Sequence, residues 1–430
     1  MEPVIVVGGA RVFQGDCRDV LKTLADCSVD SVVTDPPYEL GFMGKKWDGT
    51  GIAYDLSVWV ECLRVLKPGG HVLAFGGSRT WHRMAVAIED AGFEIRDSIA
   101  WMYGSGFPKS LDVSKAIDKA AGAKRERYRF SNTSTRVNTY AMDKWSLENV
   151  GTRLVDEPIT EDAQRWEGWG TALKPAFEPI VVGRKPFAKG STVAANVLLH
   201  GVGGLNIDAS RVEAKDQAVL DAAVKRMSGN SVEGALNMAG KSTIQPVSAQ
   251  GRWPANVILD EYSAGLLDEQ SGVSTSKVGG PRGTKKKGLF ANSEFNKVGT
   301  EHNDTGGASR FFYCAKASKR DRNEGLELME DRNLSDRGDD GMRDENSIVT
   351  RHTKTKNFHP TVKPTQLMRY LVKLVTPPGG TVLDPFTGSG STGKAALLDG
   401  YVFIGAELTE EYLPIIEGRL KQAQEQRAIV

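Results

Sequence analysis

A polar tetrapeptide, Asp35-Pro36-Pro37-Tyr38, follows an apolar, β-branched run at 29–34. An exocyclic base amine is a poor nucleophile, because its lone pair is delocalised into the ring. Acceptors for both of its N–H bonds would make that lone pair available. Asp35 and the Pro36 carbonyl are candidate acceptors on a loop stiffened by two prolines, and Tyr38 offers a flat face for a base. The motif indicates methyl-acceptor chemistry, although Asp-Pro is also common in strand-ending turns.

A glycine-rich segment, Asp384–Gly393, directly follows a second apolar strand pattern. Glycines there let the backbone approach a ligand closely and open a helix towards it. The glycines have the spacing GxGxxG, but the segment is not a phosphate loop, because Gly393-Lys394 is followed by Ala395 rather than by Ser or Thr, so ATP is disfavoured. Glu407 ends the next strand pattern, where a carboxylate could accept from both ribose hydroxyls of a nucleoside. A glycine-rich helix cap with an exposed glutamate is the structural alternative.

Two further segments are uninformative when each is considered alone. His359-Pro360-Thr361-Val362-Lys363-Pro364 could be a turn with a surface histidine. Asp16, in Gln14-Gly15-Asp16, could be a plain strand-to-loop residue or could accept from an adenine amine or a cofactor hydroxyl.

Strand and helix patterns alternate over the first hundred residues and again after 359. This alternation predicts parallel βαβ units and an α/β doubly wound sheet. The predicted strands are 4–7, 10–14, 29–34, 72–75, 93–101, 176–185, 381–383 and 401–407. The predicted helices are 18–25, 56–66, 80–91, 114–121, 365–375, 394–398 and 410–424, with a turn expected at 67–70.

The composition of the 430 residues is ordinary for a globular protein, with 40% hydrophobic residues and a net charge of +1. Four scattered cysteines without a CxxC pair predict neither a zinc ribbon nor disulfides, and they favour a reducing, cytoplasmic setting. No signal peptide or membrane-spanning stretch is expected. Two runs are basic: 277–322 has eleven Lys/Arg against four Asp/Glu, and 106–136 has eight against three. They could track phosphates or be solvated loops.

Together, DPPY, DPFTGSGSTG, HPTVKP and QGD resemble the beta class of amino-group DNA methyltransferases, in which the catalytic motif precedes the cofactor motif. The stretches 169–179 and 310–318 also look like site-specific methyltransferases of bacteria and phages. The resemblance implies a Rossmann-like sheet of permuted motif order, completed by the C-terminal segment. It implies S-adenosylmethionine as cofactor, double-stranded DNA as partner, and the cytoplasm of a bacterium or of a phage-infected host as location.

The resemblance also implies a role for each motif. Asp35, Pro36, Pro37 and Tyr38 would form the target-amine site. The cofactor residues would be those that surround its methionine and sulfonium part, bind its ribose or adenine, or close over it: Asp384, Phe386, Gly388, Ser389, Gly390, Thr392, Glu407, Asp16, His359, Lys363 and Pro364. Some members of the class carry a cysteine-rich insert before the HPT segment. This chain lacks those cysteines, so no metal site is predicted.

The predicted organisation has a catalytic half at 1–186, a target-recognition insert at 187–357 with a mobile loop at 330–357, and a cofactor half at 358–430. Aspartate at position 35 favours adenine N6 as the target, because serine is usual there for cytosine N4, which is the alternative. A catalytically silent DNA-binding module and an RNA or protein methyltransferase are further alternatives; intact motifs disfavour the first, and motif order disfavours the second. Dimers are common in the class, but the sequence shows no interface.

Overall fold

The fold is taken from a computed structural model of the chain. The structure describes residues 1–41, 46–104, 106, 110–125, 127–131, 136–137, 152–212, 251–275, 305–315, 319–333 and 354–429. They form two compact units, one of Met1–Gly104 with Phe177–Val430 and one of Ser105–Ala176.

The described strands are numbered here in chain order. They are β1 (Ile5–Val7), β2 (Ala10–Gln14), β3 (Val29–Thr34), β4 (Leu66–Phe75), β5 (Glu94–Met102), β6 (Arg127–Ser131), β7 (Arg136–Val137), β8 (Thr152–Asp156), β9 (Phe177–Arg184), β10 (Val257–Asp260), β11 (Ser274–Thr275), β12 (Thr305–Gly306), β13 (Tyr313–Ala315), β14 (Arg332–Asn333), β15 (Lys354–Thr355), β16 (Thr381–Asp384) and β17 (Val402–Glu407). Ten of them form one sheet in the order β1-β2-β17-β16-β3-β4-β9-β5-β10-β13.

The described α-helices are numbered in the same way. They are α1 (Cys17–Lys22), α2 (Leu56–Val65), α3 (Trp81–Asp90), α4 (Val113–Ala120), α5 (Glu161–Arg165), α6 (Val193–His200), α7 (Glu261–Ser271), α8 (Lys319–Asn323), α9 (Thr365–Val375), α10 (Ser391–Leu398) and α11 (Leu413–Ile429). Short 3-10 turns occur at Lys46–Gly49, Ile52–Tyr54, Asp208–Ser210, Ala308–Phe311 and Glu410–Tyr412. Within the described ranges, no helix has the length and apolarity needed to cross a membrane.

The large sheet is an α/β sheet of mostly parallel strands, as expected, but it is not wholly parallel. β2, β17, β16, β3 and β4 are parallel neighbours. β9 runs antiparallel to both β4 and β5, and β1 runs antiparallel to β2. The prediction of a turn at 67–70 is wrong, because α2 ends at Val65 and β4 begins at the next residue and includes 67–70. Gly69 fits this irregular strand start, with a φ of +84°.

Side chains alternate across the sheet, so two apolar clusters form on its opposite faces. On one face Val33, Leu73 and Val382 pack with the buried residues of α9, α10 and α11. On the other face Val32 and Val72 pack with the buried residues of α1, α2 and α3. Helices on both faces of a mainly parallel sheet make the three-layer architecture that the alternation predicted.

The two ends of the chain meet in the middle of this sheet. β16 pairs with β3 in parallel register, with Val382 opposite Ser31 and Leu383 opposite Val32. Beside this pair, the buried Asp30 accepts from Lys67 Nζ at 2.6 Å and from the Thr381 backbone N–H at 2.7 Å. The C-terminal segment therefore completes the sheet, as the permuted motif order predicted.

The domain boundaries differ from the predicted ones. Residues 187–357 do not leave the sheet as one lobe, because β10 pairs with β5 and β13 pairs with β10. Short parallel strands were not visible in this polar part of the sequence. The predicted loop at 330–357 lies mostly outside the described residues, which resume at 354.

The second compact unit is Ser105–Ala176. In it, α4 and α5 pack together, and β6 pairs with β7 and β8. The buried Asp118 accepts from Arg125 Nε at 2.6 Å and from the backbone N–H groups of Ile159 and Thr160 at 3.0 Å each.

We expect Asp30→Ala to destabilise the fold by about 1–3 kcal/mol, since the Thr381 N–H and the Lys67 ammonium both lose a buried acceptor. The measurement is the free energy of unfolding from urea titrations. Asp19→Ala is the control, because the Asp19 side chain is 66% exposed, and it should change stability by about 0.5 kcal/mol or less. Equal effects of the two substitutions would contradict the role of Asp30 in joining the chain ends.

Candidate active site

Four carboxylates lie at the same edge of the sheet. Asp16 follows β2, Glu407 ends β17, Asp384 ends β16, and Asp35 follows β3. These strands are parallel neighbours in that order, so their carboxyl ends form one row. The carboxyl ends of such strands are where open α/β sheets bind ligands.

Asp384 links the two halves of the chain through its side chain. One carboxylate oxygen accepts from the Thr34 hydroxyl at 2.6 Å and from the Phe386 N–H at 3.0 Å, and the other accepts from the Thr392 hydroxyl at 2.6 Å. Burial raises the pKa of Asp384 to about 6, against the effect of these hydrogen bonds. Thr392, predicted to bind cofactor, therefore holds Asp384 in place.

Glu407 is similarly buried at the end of β17. Its carboxylate accepts from the Gly388 N–H at 2.7 Å and from the Thr409 N–H at 2.8 Å. Burial raises the pKa of Glu407 to about 7, despite these two bonds. The Gly388 bond fixes the glycine-rich loop against the carboxylate that was predicted to bind ribose.

The glycine-rich loop has the backbone conformation that its glycines permit. Gly388 has φ +54° and Gly390 has φ +74°, both in the left-handed region. Behind the loop, the fully buried Arg419 donates to the Ser389 carbonyl oxygen at 2.9 Å and to the Ser391 hydroxyl at 2.9 Å. Ser389 is thus anchored by a residue that the sequence analysis missed, since its helix position gave no signal beyond amphipathic spacing.

Asp16 caps α1 by accepting from the Arg18 backbone N–H at 2.9 Å, and it also pairs with the Arg18 guanidinium at 2.6 Å. Arg18 reaches Asp55 as well, at 3.1 Å. The Arg18 hydrogen bond, opposed by partial burial, lowers the pKa of Asp16. Asp16 therefore lies in this row of carboxylates with its own carboxylate already paired to a cation.

The first residue of the HPTVKP segment, His359, lies over the glycine-rich loop. A Cβ added to Gly388 would come within 3.0 Å of His359 Nε2, so the ring packs directly on that glycine. Burial lowers the pKa of His359 to about 3, and the ring is therefore neutral at physiological pH. Arg322 holds the segment by donating to the His359 carbonyl oxygen at 2.6 Å. Pro364 immediately precedes α9.

Lys363 does not point at the glycine-rich loop with which the sequence analysis grouped it. Its Nζ lies 2.6 Å from Asp35 Oδ2, 3.2 Å from the Tyr38 hydroxyl and 3.4 Å from Glu178 Oε2. Glu178 is the fourth side chain of this cluster, and it accepts from the Tyr38 hydroxyl at 2.8 Å. Glu178 was missed, although a carboxylate inside the quoted stretch 169–179, at the start of an apolar strand, was a usable signal.

The DPPY loop is held firmly around one free acceptor. Asp35 Oδ1 is buried and has no hydrogen-bond partner among the residues that the structure describes. Pro36 is buried, and the Tyr38 carbonyl accepts from the Thr80 hydroxyl at 2.8 Å. A buried carboxylate oxygen without a donor is costly unless a ligand supplies one.

Some arginines of the two basic runs make contacts within the fold. Arg125 pairs with Asp118, and the buried Arg310 donates to the carbonyl oxygens of Gly306 and Gly307 at 2.6 and 2.7 Å. Residues 276–304 and 316–318 lie outside the described residues, so most of the second run is not described. For Arg125 and Arg310, these contacts favour a structural role over phosphate binding.

A family model described as DNA methylase, for N6 and N4 methyltransferases, matches residues 29–418. The chain belongs to this family. Members of the family depend on S-adenosylmethionine. The match includes both the DPPY loop and the glycine-rich loop. Of the four carboxylates at the sheet edge, only Asp16 lies outside it.

Relatives of known name match parts of the chain. Type II methyltransferase M.HindIII of Haemophilus influenzae is 29% identical over 34% of this chain and 38% of that protein. DNA adenine methyltransferase YhdJ of Escherichia coli is 43% identical over 15% of this chain and 22% of that protein. The matched part thus spans well under half the length of these relatives. The solved structure of PvuII DNA methyltransferase, described as cytosine-N4-specific, aligns with a TM-score of 0.41 at 13% identity, covering 97% of this chain and 88% of that one.

The residues present fit S-adenosylmethionine. Gly388 and Gly390 leave bare backbone beside a row of carboxylates, and a sulfonium cation is stabilised by nearby negative charge. The imidazole over the loop is neutral and adds no opposing positive charge. The methionine end and the nucleoside end would be bound along this row.

We expect the stability of the cofactor-free protein to fall as the pH rises between about 4.5 and 7, because Glu407 has a raised pKa and the folded state binds its proton more tightly than the unfolded state. Glu407→Gln cannot titrate and should remove up to about 3 kcal/mol of this pH dependence. The measurement is urea unfolding at pH 5 and pH 8. An unchanged pH dependence in the variant would show that Glu407 does not carry the raised pKa.

Proposed function

We propose that this chain transfers a methyl group from S-adenosylmethionine to adenine N6 in duplex DNA. The observation that carries the proposal is the buried Asp35 Oδ1, which has no hydrogen-bond partner among the described residues. It lies in a DPPY loop at the carboxyl end of β3, next to the glycine-rich loop that follows β16. A donor from outside the chain would satisfy this oxygen, and an exocyclic amine is such a donor.

The amine site would work by orientation. A base flipped out of the duplex would stack on Tyr38, and its amine would donate one N–H to Asp35 Oδ1 and the other to the Pro36 carbonyl. Both acceptors lie on a loop that cannot move freely, since two prolines follow Asp35 and Thr80 holds the Tyr38 carbonyl. Holding the nitrogen in line with the methyl carbon accounts for much of the rate gain in such reactions.

Bound S-adenosylmethionine supplies a methyl carbon made electrophilic by the adjacent sulfonium. Asp35 Oδ1 and the Pro36 carbonyl would orient the amine lone pair towards that methyl carbon, which would transfer to nitrogen as its bond to sulfur breaks and leaves the electron pair on sulfur. The methylated nitrogen then loses its extra proton to Asp35 Oδ1, from which the proton passes to solvent. Asp35 must therefore be ionised before transfer, but it need not deprotonate the amine in advance.

On the cofactor side, the predicted residues other than Lys363 keep proposed roles that their contacts refine. Backbone at Gly388 and Gly390, with Asp384 and Phe386, would surround the methionine and sulfonium end. Glu407 would bind the ribose hydroxyls, and Asp16 would lie at the adenine end. Ser389 and Thr392 would shape the loop, and His359 and Pro364 would cover it.

The choice of adenine over cytosine rests on the acceptor side chain. Aspartate stands where serine is usual for cytosine N4 in the resembled class. The name of one relative, DNA adenine methyltransferase YhdJ, agrees with this choice. Cytosine N4 is the second candidate, since it needs the same pair of acceptors. Recognition of the duplex would fall to residues between β9 and α9, the region in which the predicted target-recognition insert lies.

Incubation of the protein with S-adenosylmethionine and unmethylated duplex DNA should produce N6-methyladenine, detected by mass spectrometry of digested nucleosides. Asp35→Ala should reduce the product by at least about 100-fold, because the amine loses its charged acceptor. Asp19→Ala, an exposed aspartate on α1, is the matched control and should retain activity.

Formation of N4-methylcytosine would keep the mechanism and replace the target base. Cofactor binding without any methylated base on diverse duplexes would refute the DNA substrate and direct the assay to RNA or protein amides. Absence of cofactor binding would support a silent DNA-binding module instead.

A further inference from the structure

The ammonium of Lys363 connects three groups of the amine site across long distances in the sequence. Its partner Asp35 is 328 residues away, and Tyr38 is 325 residues away. Glu178 reaches the same point from β9 and lies 3.4 Å from Lys363 Nζ. The Lys363 side chain is only 7% exposed, so these groups meet largely out of contact with water.

Negative groups outnumber positive groups around the Lys363 ammonium. Asp35 and Glu178 supply two carboxylates, Lys363 supplies one ammonium, and Tyr38 supplies a hydroxyl. Burial works to lower the pKa of Lys363, but the two carboxylates outweigh burial and hold that pKa above its usual value. Burial and the same two carboxylates raise the pKa of Tyr38, so the phenol stays protonated and donates to Glu178.

Lys363 makes the two oxygens of Asp35 inequivalent. Oδ2 carries the ammonium at 2.6 Å, whereas Oδ1 has no partner among the described residues. A carboxylate with one oxygen held by a buried cation cannot rotate freely. The remaining oxygen is then a single acceptor of fixed direction.

We propose that Lys363 is a positioning residue that holds Asp35 oriented towards the target amine, and that Glu178 in turn positions Lys363 and Tyr38. This inference rests on the proposed function. It reassigns Lys363 from the cofactor side to the amine side of the site and gives Glu178 a role that the motifs did not indicate.

Glu178 completes the arrangement from the far side. Its Oε2 accepts from the Tyr38 hydroxyl at 2.8 Å and also faces the ammonium. The Lys363 Nζ lies 5.3 Å from the centre of the Tyr38 ring and 4.9 Å from that of Phe75, so the ammonium is seated between aromatic faces as well. The ring proposed to stack on the base is therefore held in place by its hydroxyl.

The cofactor role that the sequence analysis implied for Lys363 makes a different prediction. A residue that closes over S-adenosylmethionine contributes to its binding, so its loss raises the dissociation constant of the cofactor. A residue that orients Asp35 acts on the transfer step, so its loss lowers the rate at saturating cofactor.

The test uses the full chain with Lys363→Met, Glu178→Gln and the double variant. Lys22→Met is the control, because the Lys22 side chain is 65% exposed. Calorimetry gives the dissociation constant for S-adenosylmethionine, and single-turnover transfer of labelled methyl to duplex DNA gives the rate. We expect Lys363→Met to slow transfer by about 10- to 100-fold with the dissociation constant changed by less than about threefold.

The double variant separates positioning from general destabilisation. Because Glu178 and Lys363 act through one network, we expect the loss in the double variant to be smaller than the product of the two single losses. If each substitution instead damaged the structure independently, the loss of rate in the double variant would equal the product of the two single losses. If Lys363→Met does not fold, Glu178→Gln alone decides, and its retention of full transfer rate overturns the inference.

The outcomes distinguish the two proposals. A dissociation constant raised by more than about tenfold with an unchanged rate at saturation would return Lys363 to the cofactor side and leave the proposed function intact. Full activity in both single variants would overturn the inference alone. A wild-type chain that binds cofactor but methylates no duplex would overturn the proposed function and the inference with it.

Discussion

The pairing of β3 with β16 is the contact on which the rest of the site depends. It joins residues about 350 positions apart, and the hydrogen bond from Thr34 to Asp384 fastens the same two strand ends through their side chains. Without it the DPPY loop and the glycine-rich loop would belong to separate pieces of chain. With it, the proposed amine acceptor and the proposed cofactor loop follow adjacent strands at one edge, the arrangement needed to bring two reactants into line.

The buried carboxylates of that edge are stabilised in two different ways. Asp384 and Glu407 receive neutral N–H and O–H donors, and burial raises the pKa of both. Asp35 receives an ammonium instead. Neutral donors hold Asp384 and Glu407 without adding a positive charge, whereas the ammonium gives Asp35 a fixed ionic partner. This difference agrees with the proposal of a sulfonium on one side and a neutral amine on the other.

The sequence was most informative where function and structure are both local. The strands at 10–14 and 29–34 and the helix at 365–375 have the predicted bounds, because apolar periodicity and adjacent turn residues define them. The antiparallel β9 and the short β10 and β13 were not predictable, since strand direction and membership of a sheet depend on partners far away in the chain. For the same reason the motifs identified Lys363 as a site residue but did not indicate its contacts with Asp35 and Glu178.

The same difference between local and long-range contacts distinguishes the two parts of the site. The proposed cofactor loop is largely local, because Asp384, Gly388 and Glu407 lie within 24 residues of one strand–helix–strand unit. The amine side is built from three distant segments, with Asp35 and Tyr38 on one, Glu178 140 residues from Tyr38, and Lys363 on a third. Contacts of such long sequence separation require the closure of long loops, so they are slow to form. A disturbance of β9 should therefore reach Glu178 and the proposed amine site before it reaches the glycine-rich loop, whereas a disturbance of the HPTVKP segment should reach both, because His359 packs on Gly388.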